Sequence, residues 1–437
     1  MKYHALRIWL AILLLALPVV ACQRTPGFDD RLNEITAPYR FSIARWELQH
    51  LVEWAKPAER SLDSPTATQA EVETVREYFR LNDEIRLVQW QINAIAAGND
   101  REDLAAKEEE LEKLLQRREA MKGAVRWVLG RQVREAFSAQ GIFNPLDRFI
   151  QIRISFPPLN FRLARPPHLL VISPRERIES LREIMLVQEL DLETIEDLEA
   201  RVDALGVSSL VTELGGFGAT YPAFVADDAS LGWTIATVAE EWLHQYLVFT
   251  PLGFMYLLDS LGVARNYEVA TMNETLAGMV SDEIAQIVLD TYYRPKQPAP
   301  TPQPETRPTP EFDFHREMRQ IRLTVDELLA KGEVEKAEQF MEERRQYLAS
   351  KGYYIRKLNQ AYFAFHGTYA DEPTSVSPIG AEMRELRKRS ASLREFLNRA
   401  AAMTNRQDLL RSITSRRGSH SLFSALAHPD AACLNDP

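Results

Sequence analysis

The stretch "LGWTIATVAEEWLHQYLVF", Leu231 to Phe249, is apolar nearly all round, yet it carries Glu240, Glu241 and His244. A helix without a polar face is a buried helix, and unpaired buried charges cost several kcal/mol each. On a helix, Glu240 and His244 lie about 40° apart and Glu241 about 100° from Glu240, so the three share one sector. Downstream, "YEVATMNETLAGMVSDEIAQIVL", Tyr267 to Leu289, is a second mostly apolar helix with Asn273 and Glu274 in its interior. Its Ala277 and Gly278 allow close packing, and an antiparallel arrangement brings Glu274 to the sector of His244. Two buried helices facing each other across a charged cluster set the fold class: mainly α with a small β-sheet, α+β.

Three acidic groups face one base there, so a cation from outside the chain is a simpler compensation than a buried network with arginines from elsewhere. Two adjacent glutamates near the centre of the run, with Pro251 and Gly253 beyond it, argue against a membrane-spanning reading. A di-iron helical bundle needs a second ExxH, and the remaining histidines (4, 50, 168, 315, 366, 420 and 428) do not supply one near Glu274.

The first motif, Glu240-Glu241-Trp242-Leu243-His244, and the second, Asn273-Glu274-Thr275-Leu276-Ala277, resemble the gluzincin metallopeptidases, in which HExxH is followed by NExxA or NExxS. The resemblance covers residues 208 to 290. It implies that His244 and Glu274 ligate a divalent metal, zinc in that family, and that Glu241 is the general base on the metal-bound water. It also implies a peptide or protein substrate, and an edge strand in "GGFGATYPAFV", Gly215 to Val225, that pairs with it. Glu240 stands where the family has its first histidine. A carboxylate can take that place, but two carboxylates and one imidazole make a more negative site that leans toward manganese or iron. The same departure leaves a second function open, an inactive metallopeptidase fold acting as a surface binding or scaffold protein. Asn273, Asp282, His366 and Tyr369 are further candidates, to support the ligands or to stabilise an oxyanion. Tyr256 and Tyr267 flank the connection without an assignable role.

The chain has 437 residues, 45% hydrophobic and 26% charged, enough for two or three domains with a substantial core. Its net charge of −10, with both signs interspersed, offers no basic patch for nucleic acid. The N-terminus, "MKYHALRIWLAILLLALPVVAC", has a basic start, a short apolar run and small residues before Cys22. Residues 1–22 read as a signal peptide whose "VVAC" resembles a bacterial lipobox, making Cys22 the lipidation site and anchoring the chain to the extracytoplasmic face of the membrane. Cys433 is the other cysteine, so neither a disulfide framework nor a cysteine metal site is expected.

Residues 31–140 read as a helical hairpin region: one helix over 31 to about 60, then a helical run from Val72 to Ile95 and a charged helix after the turn at Ala96–Asp100. Its "AAKEEELEKLLQRREA" stretch is expected to be a solvated face. The α+β core is placed at 145–293, with strands where Ile150, Ile152 and Ile154 alternate, an amphipathic helix over Arg175 to Leu205, and strands from Ser208 to Val225. Glycines 215, 216 and 218 suggest a close approach of another backbone or a plain turn. A proline-rich linker at 294–311, a helical region at 312–413 with breaks at Lys331–Glu333 and Tyr369–Gly380, and a disordered tail at 414–437 complete the organisation.

Overall fold

The computed structural model describes residues 27–55, 68–98, 101–146, 153–294, 312–370 and 375–414. The leader with Cys22, the alternation at Ile150 and Ile152, most of the proline-rich linker and the tail beyond Thr414 lie outside the described residues. Helices dominate, and two three-stranded sheets accompany them, as the mainly α reading expected.

The N-terminal helix is interrupted. Helix α1 (Phe28–Thr36) ends in a 3₁₀ turn at Ala37–Tyr39, and α2 (Ile43–Ala55) starts anew. Pro38 stands in that turn, and the extended residues after it pair with a sheet edge: Val187 N–H donates to Tyr39 O at 2.8 Å and Phe41 N–H to Met185 O at 2.9 Å. Main-chain pairing therefore overrides the helical periodicity over 31–60.

Helices α3 (Gln69–Gly98) and α4 (Arg101–Ala139) form the expected antiparallel hairpin, since Arg131 reaches Glu71 at 2.6 Å while Arg117 reaches Glu77. The inner halves are buried through Val75, Tyr78, Val125, Leu129 and Val133; no residue from Leu104 to Ala120 is buried, as the charge pattern required.

Strands β1 (Phe161–Leu163) and β2 (His168–Pro174) follow, with Ile154 in an irregular segment and 67% exposed. The helix expected over Arg175 to Leu205 is instead strand β3 (Arg182–Leu186) and helix α5 (Leu192–Asp203). The short alternation "REIML" satisfies its backbone against β2, antiparallel with Ile184 opposite Leu170, and Asp191 caps α5 by accepting from Thr194 N–H at 2.7 Å. Strand β4 (Val207–Thr212) pairs on the other side of β2, giving the order β3-β2-β4. Strands β5 (Gly216–Phe217) and β6 (Ala223–Val225) complete a second sheet, β1-β6-β5, in which β6 is parallel to β1 and antiparallel to β5.

Helix α6 (Leu231–Leu247) leads through α7 (Pro251–Ser260), capped by Thr250, into α8 (Tyr267–Val288), capped by Asn266. A Cβ at Gly232 would lie 3.5 Å from Leu289, and His244 lies 3.5 Å from Glu274, so α6 and α8 run antiparallel. No described helix is long and apolar enough to cross a membrane.

The C-terminal region is helical, with the two expected breaks and further ones at 351–359, 389–392 and 402–405: α9 (Phe314–Ala330), α10 (Val334–Ser350), α11 (Gln360–His366), α12 (Pro378–Lys388), α13 (Leu393–Ala401) and α14 (Arg406–Thr414). Its last three helices join the main core with the hairpin's inner halves, α6 and α8, through Met383, Phe396, Val128, Leu243 and Leu276. Helices α9 to α11 bury a separate cluster around Ile321, Val325 and Met341.

Candidate metal centre

The spacing that put Glu240 and His244 on one face of α6 also places them where α8 crosses. One donor atom from each of Glu240, His244 and Glu274 lies within 4.8 Å of the others. His244 Nε2 is 3.5 Å from Glu274 Oε2. Donors of a tetrahedral site with bonds of about 2.1 Å stand roughly 3.4 Å apart, so that pair is at ligand spacing. Glu274 is buried, and the other two are partly open to a cavity of about 780 Å³. Two carboxylates and an imidazole match a divalent cation in charge, so the donor set fits one.

Asn273 supports that fit. Its amide lies 3.3 Å from His244 Nδ1, and with the amide nitrogen toward the ring its Oδ1 is buried without a partner. The two ends of an amide are assigned from their surroundings, not from their shape. Turned over, Oδ1 accepts from Nδ1–H and the Nε2 lone pair is left facing Glu274, the tautomer a metal ligand needs.

Glu241 is 8% exposed and has no cationic partner among the described residues. Burial, then Glu240 and Glu274, push its carboxyl well above the usual range, against a hydrogen bond from the backbone N–H of Gly218. The segment around β5 is held against α6 because it lacks side chains: a Cβ on Gly216 would lie 2.6 Å from Glu241 Cδ, and one on Gly218 2.6 Å from its Oε2. The glycines thus mark a close approach, here of a carboxylate to a strand. Gln245 fixes the turn by donating to the carbonyls of Gly218 and Thr220, both at 3.1 Å.

Tyr369 from the C-terminal region lines the cavity beside the cluster. Enclosure, then Glu274 and Glu240, raise its hydroxyl well above the ordinary value, so it keeps its proton at neutral pH. His366 faces the same cavity and is exposed to it, although the protein packed around the ring lowers its pKa to about 4. Asp282 lines the cavity two turns beyond Glu274; it is exposed there, and the surrounding protein nonetheless raises its carboxyl, but it makes no hydrogen bond to His244 among the described residues.

Sequence reasoning left Tyr256 without a role and missed Glu183 altogether. The Tyr256 hydroxyl is hydrogen-bonded to Glu274, and its ring centroid lies 6.3 Å from that of His244. Glu183 on β3 is solvent-accessible yet flanked by protein; that enclosure and Glu274 raise its carboxyl against a hydrogen bond from Ser180 Oγ at 2.7 Å. Nothing local signals either, because α7 and β3 reach the cluster only through the fold.

Compared with known proteins, the chain matches no family model, no curated protein and no solved structure.

Proposed function

We propose that the chain is a metal-dependent peptide hydrolase of gluzincin type, anchored by lipid at Cys22 on the extracytoplasmic face of the membrane. The observation that carries this reading is the convergence of Glu240, His244 and Glu274 beside a buried Glu241 at the wall of a cavity large enough for a peptide segment. Those three residues would hold a divalent cation, zinc by the resemblance and manganese or iron by the acidic donor set, which when bound acidifies a water and polarises a carbonyl.

The protein's own groups would do the rest. Glu241 takes a proton from the attacking water and returns it to the leaving amine, while the Gly218 N–H holds its carboxylate in place. Offsetting the charge of Glu240 and Glu274 brings Glu241 back toward an ionised base. Tyr369, protonated at neutral pH, donates to the developing oxyanion. Gly216, on the outer strand of its sheet, presents main-chain groups for an extended peptide.

The deciding experiment is elemental analysis of the soluble chain from Gln23 onward, beside Glu241→Gln, His244→Ala and Glu274→Ala. The expected result is near-stoichiometric metal in the parent and in Glu241→Gln, its loss in the other two, and peptide cleavage by the parent alone. Wild-type turnover by Glu241→Gln would refute the mechanism. Metal without cleavage of any peptide would favour the binding or scaffold function, which the glutamate at 240 already suggests.

A further inference from the structure

Helix α6 presents a continuous stripe to the cavity: Trp233, Ala236, Thr237, Glu240 and His244. Most of that stripe is accounted for by packing or by the metal centre. Trp233 is not. Its indole is 42% exposed at the cavity wall, although Trp242, on the same helix, is 3% exposed. A large aromatic left open inside a concave site, while others on its helix are packed away, is a contact surface awaiting an apolar group.

The indole is also held in a fixed place. A Cβ at Gly215 would collide with Cζ2 and Cη2 of the indole while staying 3.5 Å from Cε2, so the outer edge of the six-membered ring abuts the main chain that leads into β5. Gly215 and Gly216 line the same cavity, and Leu214 before them packs, like Tyr362 and Phe365 of α11, on the buried cluster of Leu169, Val171 and Leu210. The platform is therefore built from three elements: a helix face below, a side-chain-free strand edge beside it, and an aromatic helix end nearby.

Distance places it relative to the chemistry. Seven residues separate Trp233 from Glu240, roughly 10.5 Å along a helix at 1.5 Å per residue, and an extended peptide covers that in about three residues. We propose that Trp233 is a specificity subsite for an apolar side chain, aliphatic or aromatic, of an extended peptide, about three residues from the scissile bond. This deepens the peptide-hydrolase reading and rests on it for the word scissile; the binding itself does not require metal or turnover. Cationic side chains are the competing ligand, because Glu213, Glu240 and Asp282 also line the cavity, whereas Arg322 and Arg406 there are committed to Asp326 at 2.9 Å and to Glu382 at 2.6 Å.

The test uses fluorescently labelled alanine-rich hexapeptides carrying a single Leu, Phe, Lys or Glu, titrated into metal-free protein by polarisation. The proteins are wild type, Trp233→Ala and Gly215→Ala, the last adding a methyl that collides with the edge of the indole. Leu and Phe peptides are expected to bind wild type about tenfold more tightly than the Lys and Glu peptides, and both variants to lose that preference. Circular dichroism of the variants checks that the fold is retained, and Trp233→Phe should keep most of the preference. An unchanged preference in Trp233→Ala, a preference for Lys, or no binding by any peptide would overturn the subsite. Metal content and cleavage, measured separately, judge the hydrolase reading: bound peptides that are never cleaved would leave the subsite standing and remove the chemistry.

Discussion

Gly218 meets Glu241 at two points, through the N–H that donates to the carboxylate and through a Cα that could not carry a methyl without coming 2.6 Å from Oε2 and 2.9 Å from the Glu241 carbonyl oxygen. Gly218→Ala should therefore displace Glu241, the proposed base, and leave the Glu240, His244 and Glu274 cluster in place. The expected outcome is a fall in kcat of about 100-fold, the cost of a misplaced reacting group, with unchanged metal content. Equal loss of metal would show that the strand supports the ligands as well. Asn273→Ala acts on the other side, freeing the His244 ring; metal affinity should drop by roughly 10–100-fold, read by competition with a chelator. The convergence of Glu240, His244 and Glu274 was legible from sequence because three acids and one histidine in apolar helices violate burial rules, and a violation stands out. Trp233 and Tyr256 were not, because an aromatic at helical spacing looks the same whether it fills a core or faces a cavity.

At the scale of elements, the junction of α5, β4 and the segment before α11 depends on one buried carboxylate. Glu199 is 3% exposed and accepts from Arg356 at 2.6 and 2.9 Å, from Val211 N–H at 2.6 Å, and pairs with Lys357 at 3.3 Å. Burial works to raise its pKa; Arg356, Lys357 and the Val211 N–H outweigh it and leave the value lowered. A carboxyl depressed on folding adds stability that is fully present above its unfolded pKa, about 4.3, and is lost as pH falls through the lower folded value. Glu199→Gln should accordingly show a flatter stability curve below about pH 4.3 than wild type, measured by urea unfolding across pH. Arg356→Ala leaves the carboxylate partly uncompensated and should cost roughly 3 kcal/mol at pH 7. The errors of element assignment have the same origin as this junction. β3 and the break after α1 exist because their backbones pair with each other and with β2, over separations that local periodicity does not report. α6, α8 and the α3–α4 hairpin were legible because long periodic runs carry their own evidence.

Across the whole molecule, the regions that composition separates are joined energetically. Helices α12 to α14 lie some hundred residues beyond α8, yet their side chains complete its burial, and Arg387 clamps Glu283 through two bonds at 2.7 and 2.9 Å. A chain cut before residue 312 would expose much of α8, so it should fail to unfold cooperatively in calorimetry, whereas the intact chain from Gln23 should keep the core helices in one transition. A separate, independently stable fragment ending at 294 would contradict this. The hairpin behaves oppositely. Helix α4 is 39 residues, about 58 Å long, and only its inner half is buried. Its outer half is a mast: a protease could sever the chain toward the tip at Lys107, and the two pieces would stay assembled, gripped at the base by side chains that the cut never reaches. Such a nicked protein would migrate as one particle in solution and as two bands once denatured.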